Sequence, residues 1–306
     1  MPESPLCGNS NKLKDMKYGM KKQLLLAGAA LILATGCVKD DLYNTPHPDR
    51  GAVTVTADWS GRSSDATVPE SYVLRIGGKE QAVSGETNAF PGLFLPGRQD
   101  LLVFHRAEGI TVSGTTATVN TLTDGTLEPM PACLFSGMAE LEIVKDDTLR
   151  VTVPMRQHTR RLTLTLKLNP GDEQRITATS ATLTGIASAI DLTTGAITST
   201  DGKVVIPAFA FGTGNKTRAM GQPILTATLR LLGMAAEEKQ VLRLAVTLTD
   251  GHVQEITTDL TEALKHFDTG MEPLTLDATL TMPAEAGFSA TIGDWHTVEN
   301  GDITVN

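Results

Sequence analysis

The strictest constraint on this chain is a period of two. In Arg161–Leu168, RLTLTLKL, the leucines Leu162, Leu164, Leu166 and Leu168 alternate with Thr163, Thr165 and Lys167. Successive side chains of an extended strand point to opposite faces, so this run places four leucines in one row and polar groups in the other. A helix would scatter the same leucines around its axis. The pattern recurs in AVTVTADW, where Val53, Val55, Ala57 and Trp59 oppose Thr54, Thr56 and Asp58. Further short runs are predicted as strands at Tyr72–Ile76, Leu101–His105, Ile110–Val112, Ala117–Val119, Met138–Val144 and Leu149–Met155. Pro154, lacking an amide hydrogen, marks the last of these as an edge or a break. Beyond it follow Ser180–Leu183, Val204–Ile206, Leu225–Leu231, Val241–Leu248, His252–Thr257, Leu274–Met282, Phe288–Ile292 and Asp302–Val305. Asn169-Pro170-Gly171-Asp172 is strong turn chemistry, and Asp250-Gly251 predicts a type I′ hairpin. One helix is expected, with Asp259 as its cap, Glu262 completing a capping box, and Leu260, Ala263, Leu264 and Phe267 on its apolar face before Gly270 stops it. The expected architecture is all-β: two sandwiches in series, residues 52–156 and 157–306, divided near Gln157.

The first 51 residues read differently. Leu24–Ala34 is an apolar run of signal-sequence length and too short to span a bilayer comfortably, and Lys12, Lys14, Lys17, Lys21 and Lys22 precede it. Small residues Ala34, Thr35 and Gly36 lead into Cys37, and ATGC resembles the lipobox of bacterial lipoproteins. That resemblance implies a signal peptide over residues 1–36 and a Cys37 carrying diacylglycerol and a further fatty-acyl chain such as palmitate. Met20 with Lys21-Lys22 begins a complete leader, which makes it the expected start and removes Cys7 from the product. Val38-Lys39-Asp40-Asp41 resembles the export signal of surface lipoproteins in Bacteroidales-type bacteria, with Lys39, Asp40 and Asp41 as its charged residues. An ordinary secretory signal, a retained anchor and a merely solvated charged tether are the alternatives. Residues 37–51, with two prolines, several Asp, Asn44 and Gly51, read as an extended, lipidated tether.

Composition narrows the rest. Hydrophobic residues make up 41% of the chain but aromatics only 4%, so the cores must be aliphatic. Five lysines and two acids lie in residues 1–36, so their removal takes the formal net charge from −9 to −12. Such a chain is a poor nucleic-acid binder. With Cys37 acylated, Cys133 is alone, and no disulfide framework is available.

Catalytic and metal-binding patterns are missing. The six histidines are scattered, without HExxH or paired spacing, so neither metal nor cofactor is expected. His105 reads as a strand-edge residue. His158, among Arg156, Arg160 and Arg161, reads as part of a solvated interdomain loop with a depressed proton affinity. Phe211–Thr217, FGTGNKT, is a weak mimic of a phosphate loop. Cys133 has no base nearby in sequence and reads as a small buried hydrophobe. Asp146-Asp147 reads as a solvated turn, and Trp59 and Trp295 as packing residues.

Four stretches carry a resemblance: FPGLFLPGRQDLLVFHRAEGITVSG, VPMRQHTRRLTLTLKL, LTGIASAIDLTTGAI and ATIGDWHTVENGDITVN. In this order behind a lipobox, they make the chain similar to the FimB-like anchor and accessory proteins of Bacteroidales (type V) fimbriae. The resemblance implies two transthyretin-like β-sandwiches and a non-catalytic role in cell adhesion and fimbrial assembly by β-strand complementation. Fimbrial subunits and, through Cys37, the lipid of the outer membrane are the implied partners, at the cell surface. Stalk subunits of such fimbriae are cut at an arginine near the N-terminus. Arg50-Gly51 is a conceivable cut here, but VKDDLYNTPHPD before it does not read as a strand to be discarded, which suits an uncut anchor. Ile303 and Val305 either supply a donor strand to a neighbouring subunit or pair within their own domain. Two rival readings remain: a surface lipoprotein binding carbohydrate or another nutrient beside an outer-membrane transporter, and a secreted hydrolase on a β scaffold.

Overall fold

The computed structural model of the chain describes residues 49–211, 222–283 and 288–298. Its first ten strands are β1 Ala52–Asp58, β2 Tyr72–Ile76, β3 Lys79–Val83, β4 Thr87–Ala89, β5 Gly97–Phe104, β6 Ile110–Ser113, β7 Thr116–Val119, β8 Phe135–Ile143, β9 Thr148–Pro154 and β10 Arg156–Gln157. Then follow β11 Arg160–Leu168, β12 Ile176–Leu183, β13 Ala189–Asp191, β14 Ile197–Ser199, β15 Ala210–Phe211, β16 Ile224–Leu231, β17 Val241–Leu248, β18 Val253–Asp259, β19 Leu274–Thr281, β20 Thr291–Ile292 and β21 His296–Thr297. The expected all-β architecture is what forms.

Two sheets enclose the first core. One has the order β4-β1-β9, the other β10-β8-β5-β2-β3. Val53, Val55 and Ala57 of β1 face Leu74, Ile76, Leu101, Val103, Leu141 and Ile143 of the second sheet, all buried. Trp59 lies among them, edge-on to Tyr72 and Phe135 at 5.4 Å each. This is the packing role read for it.

The second half repeats the plan. A sheet ordered β15-β16-β11-β19-β20, with β21 also on β19, faces a sheet ordered β12-β17-β18. The four leucines of β11 are all fully buried, as the alternation requires. In each half the first strand runs parallel to the last long one: β1 with β9 from Ala52↔Thr148 to Asp58↔Pro154, and β11 with β19 from Leu162↔Leu274 to Leu168↔Leu280. A fifth sheet, β14-β13-β7-β6, joins strands from either side of Gln157. Through it Ile110, Ala117 and Val119 enter the larger core beside Leu183 and Ile190. The described residues from Asp49 onward therefore form one compact unit.

Local expectations were corrected in three places. The helix is a single turn, α1 Thr261–Leu264. Asp259 is the last residue of β18 and accepts the Thr261 N–H at 2.9 Å, while the Glu262 carboxylate pairs with Lys265 instead of closing a box. The apolar face of the expected helix survives, since Leu260, Leu264 and Phe267 are buried. The Asp250-Gly251 hairpin forms between β17 and β18, but only Gly251 has positive φ, at 84°. Its Gly251 N–H reaches Leu248 O at 3.0 Å, a longer loop ending on a left-handed glycine rather than type I′. Val204–Ile206 does not form a strand. Val205 makes only single bridges, to Leu127 and Leu183.

Candidate functional site

Three surfaces position the features that could carry function. The first is the pole where the chain joins the sandwich. Gly51 N–H donates to Phe94 O, and Phe94 N–H donates to Gly51 O, each at 2.9 Å. The carbonyl of Arg50 accepts from Asp146 N–H at 3.0 Å. Gly51 is buried, and a Cβ there would lie 2.3 Å from Val144 O and 2.6 Å from Ile143 Cγ2. Only glycine fits so close a backbone approach. The Arg50–Gly51 linkage is thus hydrogen-bonded on both sides, and Asp146-Asp147 forms part of the turn that holds it.

The second surface is the joint between halves. The loop after β1 reaches across: Ser63 N–H donates to Gln157 Oε1 at 3.0 Å, and Ser64 Oγ donates to Glu272 Oε2 at 2.6 Å. Asp65, itself nearly buried, stands 3.4 Å from Arg161 and 3.9 Å from Arg230. Arg160 donates to the Phe267 carbonyl at 2.5 Å and lies over the Phe267 ring, 5.3 Å from its centre. Within the joint, Ser136 Oγ and His158 Nε2 are 2.6 Å apart and both residues are buried. Ser136 also donates to Leu192 O at 2.5 Å, which spends its only proton. The imidazole must then donate from Nε2, so the pair holds no free base for the hydroxyl. Burial foremost, with the charge of Arg156 second, pushes the His158 pKa down to about 4. The depressed proton affinity is as read from the sequence. The solvated loop is not, because His158 sits in the joint's interior with its N–H bonded to Leu134 O.

The third surface is the edge of β19. β20 and β21 pair antiparallel to it, at Leu280↔Ile292 and Leu276↔Thr297. Trp295 Nε1 donates to Thr258 at 3.2 Å, packing this segment against β18. Val298 N–H donates to Thr275 O at 2.9 Å. β19 begins at Leu274, so the antiparallel register is almost exhausted at the last described residue. Among the described residues the matching edge of the first half, β9, pairs only with β1, and its Leu149 and Val151 remain half-exposed.

Other candidates are accounted for by packing. Cys133 is half-buried against the first core, and burial pushes its thiol pKa up, which disfavours the reactive thiolate. His105 Nδ1 pairs with Cys133 O at 3.0 Å, and burial lowers its pKa. A groove of about 400 Å³ on the outer face of β12, β17 and β18 is lined by Ser180, Thr182, Arg243, Glu255 and Thr257 with Ile206, and no aromatic residue is among its lining. Among the described residues no group of acids, histidines or cysteines could hold a metal ion.

Several expected site residues lie outside the described residues: Cys37, Lys39, Asp40, Asp41, Ile303 and Val305, along with the signal peptide and most of Phe211–Thr217. Of the tether, only Asp49 to Gly51 is described. The residues that sequence reading missed are those of the joint, Ser63, Ser64, Asp65, Ser136, Gln157 and Glu272. Nothing in SGRSSD distinguishes a docking loop from a solvated turn.

The fold is shared with solved structures of Bacteroides proteins. A candidate adhesin of Bacteroides thetaiotaomicron is 14% identical with a TM-score of 0.56, over 83% of this chain and 99% of that one. A candidate adhesin of Bacteroides ovatus is 15% identical with a TM-score of 0.53, over 85% and 98%. A candidate polysaccharide-binding protein of Bacteroides thetaiotaomicron is 10% identical with a TM-score of 0.51, over 81% and 98%. These likenesses establish a shared all-β, adhesin-like sandwich fold. No curated protein matches the chain. The family of fimbrillin-A associated anchor proteins Mfa1 and Mfa2 matches residues 44–301, and the chain belongs to that family. Its class is therefore fimbrial accessory protein.

Proposed function

We propose that the protein is a lipid-anchored anchor or accessory subunit of a surface fimbrium, held in the outer membrane by acylated Cys37 and joined to its neighbours by strand complementation. It works through strand edges, not through catalysis. The observation that carries the anchor reading is the seating of Gly51. A stalk-type cut at Arg50 would have to break a linkage whose flanking groups are bonded to Phe94 and Asp146, and it would remove no strand of the described sheets. An uncut chain stays continuous with Cys37, and two or more acyl chains make such an attachment stable.

The C-terminal edge supports the assembly half of the reading. Val298 sits opposite Thr275, and β19 offers a continuing antiparallel chain little beyond Leu274. In this reading Ile303 and Val305 are the alternate side chains of a donated strand, main-chain bonds supplying affinity and pockets supplying register. Lys39, Asp40 and Asp41 act as the surface-export signal. Carbohydrate binding, the rival reading, gains little from a groove without stacking residues.

Membrane fractionation of two variants tests the proposal. Cys37→Ser is expected to move the protein from the membrane to the soluble fraction. Deletion of Gly301–Asn306 is expected to leave it in the membrane but to abolish co-purification of fimbrial subunits. Full membrane retention of the serine variant rejects the anchor, and undiminished co-purification after the deletion rejects the donated strand.

A further inference from the structure

The pole where the chain joins the first sandwich carries three exposed aliphatic side chains that neither the packing nor the proposed strand exchange uses. Phe94 points inward, buried against Phe90 at 5.0 Å and covered by the Lys79 ammonium 5.5 Å from its ring centre. Alternation along the extended segment then turns its neighbours outward, leaving Leu93 40% and Leu95 62% exposed. Pro91 and Pro96 bracket them and stiffen the loop. Val144, 55% exposed, follows β8, and its carbonyl closes over Gly51, the residue paired with Phe94. All three side chains therefore surround the point from which the chain continues toward Cys37.

We infer that Leu93, Leu95 and Val144 form a tip that rests in the acyl region of the lipid surface and seats the first sandwich on the membrane. This inference depends on the reading that Cys37 is acylated. Twelve residue steps separate Cys37 from Asp49, a reach of at most about 40 Å when fully extended. The opposite pole, at Asp58 and Pro154, lies a seven-residue strand farther along. Of the two ends, this one lies nearer the acyl chains along the chain.

Single exposed aliphatics are ordinary, but three at a tethered pole are held at high effective concentration against lipid. A stable protein interface buries roughly 800 Å² per partner, more than three such side chains present, so a free-standing protein partner fits less well. Lys79 lies over Phe94, and Asp49, Arg50, Lys145, Asp146 and Asp147 adjoin Gly51 and Val144 in the chain, which keeps the contact shallow and the charges in the interfacial water.

The test uses the full acylated chain in phosphatidylethanolamine–phosphatidylglycerol vesicles with brominated acyl chains. Leu95→Trp is compared with Ile206→Trp, a partly exposed site in the second half, after subtracting the emission of the unsubstituted protein. The added emission at position 95 should shift to the blue and lose about half its intensity to the brominated lipid, while that at 206 should not change. Adding Leu93→Ser and Val144→Ser to Leu95→Trp should reduce the quenching. Equal, unquenched emission at both positions overturns the tip. So does a blue shift that grows with protein density without quenching, which would assign the patch to a second copy, or protection at position 95 only when fimbrial subunits are added. Loss of all vesicle association in Cys37→Ser is the separate check on the anchor, and its failure would sink that reading whatever position 95 shows.

Discussion

His158 shows how one buried side chain sets a pH dependence. Its folded pKa of about 4 lies below the ordinary histidine value of 6.5, chiefly because burial disfavours the cation. The unfolded chain therefore binds a proton that the folded chain refuses once the pH drops below about 6.5. Stability from this site is complete above that point and declines as the pH falls toward 4, by roughly 2–4 kcal/mol in all. Half-buried His105 shifts the same way and adds to the slope. Denaturant titrations between pH 7 and pH 4 should show this loss, and His158→Gln should flatten it. Sequence reading reached the direction of this shift from the neighbouring arginines, yet missed its main cause. Arginines near in sequence are visible on a line of letters. Burial between Ser136, Leu134 and Leu192 requires strands far apart in the chain to meet.

At the level of elements, the strands most legible in the sequence are those with one face in a core. β1 and β11 alternate because their partners on one side are apolar and on the other are water, so the pattern survives any uncertainty about pairing. Leu164, fully buried at the centre of β11 between β16 and β19, is the sharpest test. Leu164→Ala should cost about 2–5 kcal/mol, read as a lower denaturation midpoint with an unchanged slope. Arg161→Ala on the same strand should cost less, since its contact to Asp65 is partly solvated. Short strands such as β4 and β13 escaped the reading because three residues hold too little alternation to stand out. The single-turn α1 was overestimated for the opposite reason: Leu260, Leu264 and Phe267 share a face, but a turn and a following 3₁₀ segment satisfy that spacing as well as a full helix does.

For the whole molecule, the path of the backbone decides how the protein meets its surroundings. The chain joins the first half at Gly51 and leaves it at Gln157, and strands β1 and β9 span the distance between. The folded chain should resist an arginine-specific protease at Arg50–Gly51, because a protease must draw the linkage into an extended, unbonded form. Mass spectrometry of limited digests should find this bond intact in the native protein, and cut after Gly51→Ala, whose Cβ must displace Val144. Early native cleavage at Arg50 would show that the pole opens readily.

The parallel pairing of β1 with β9 has a mechanical outcome. A pull between the residues before Gly51 and the second half draws β1 from its first residue and β9 from its last, in opposite directions along their shared axis. Every bond of the seven-residue ladder is then sheared at once, whereas an antiparallel hairpin pulled at its open ends would unzip one rung at a time. A clasp of this kind suits the proposed anchoring role, because it holds against a pull along the strands far better than a hairpin would.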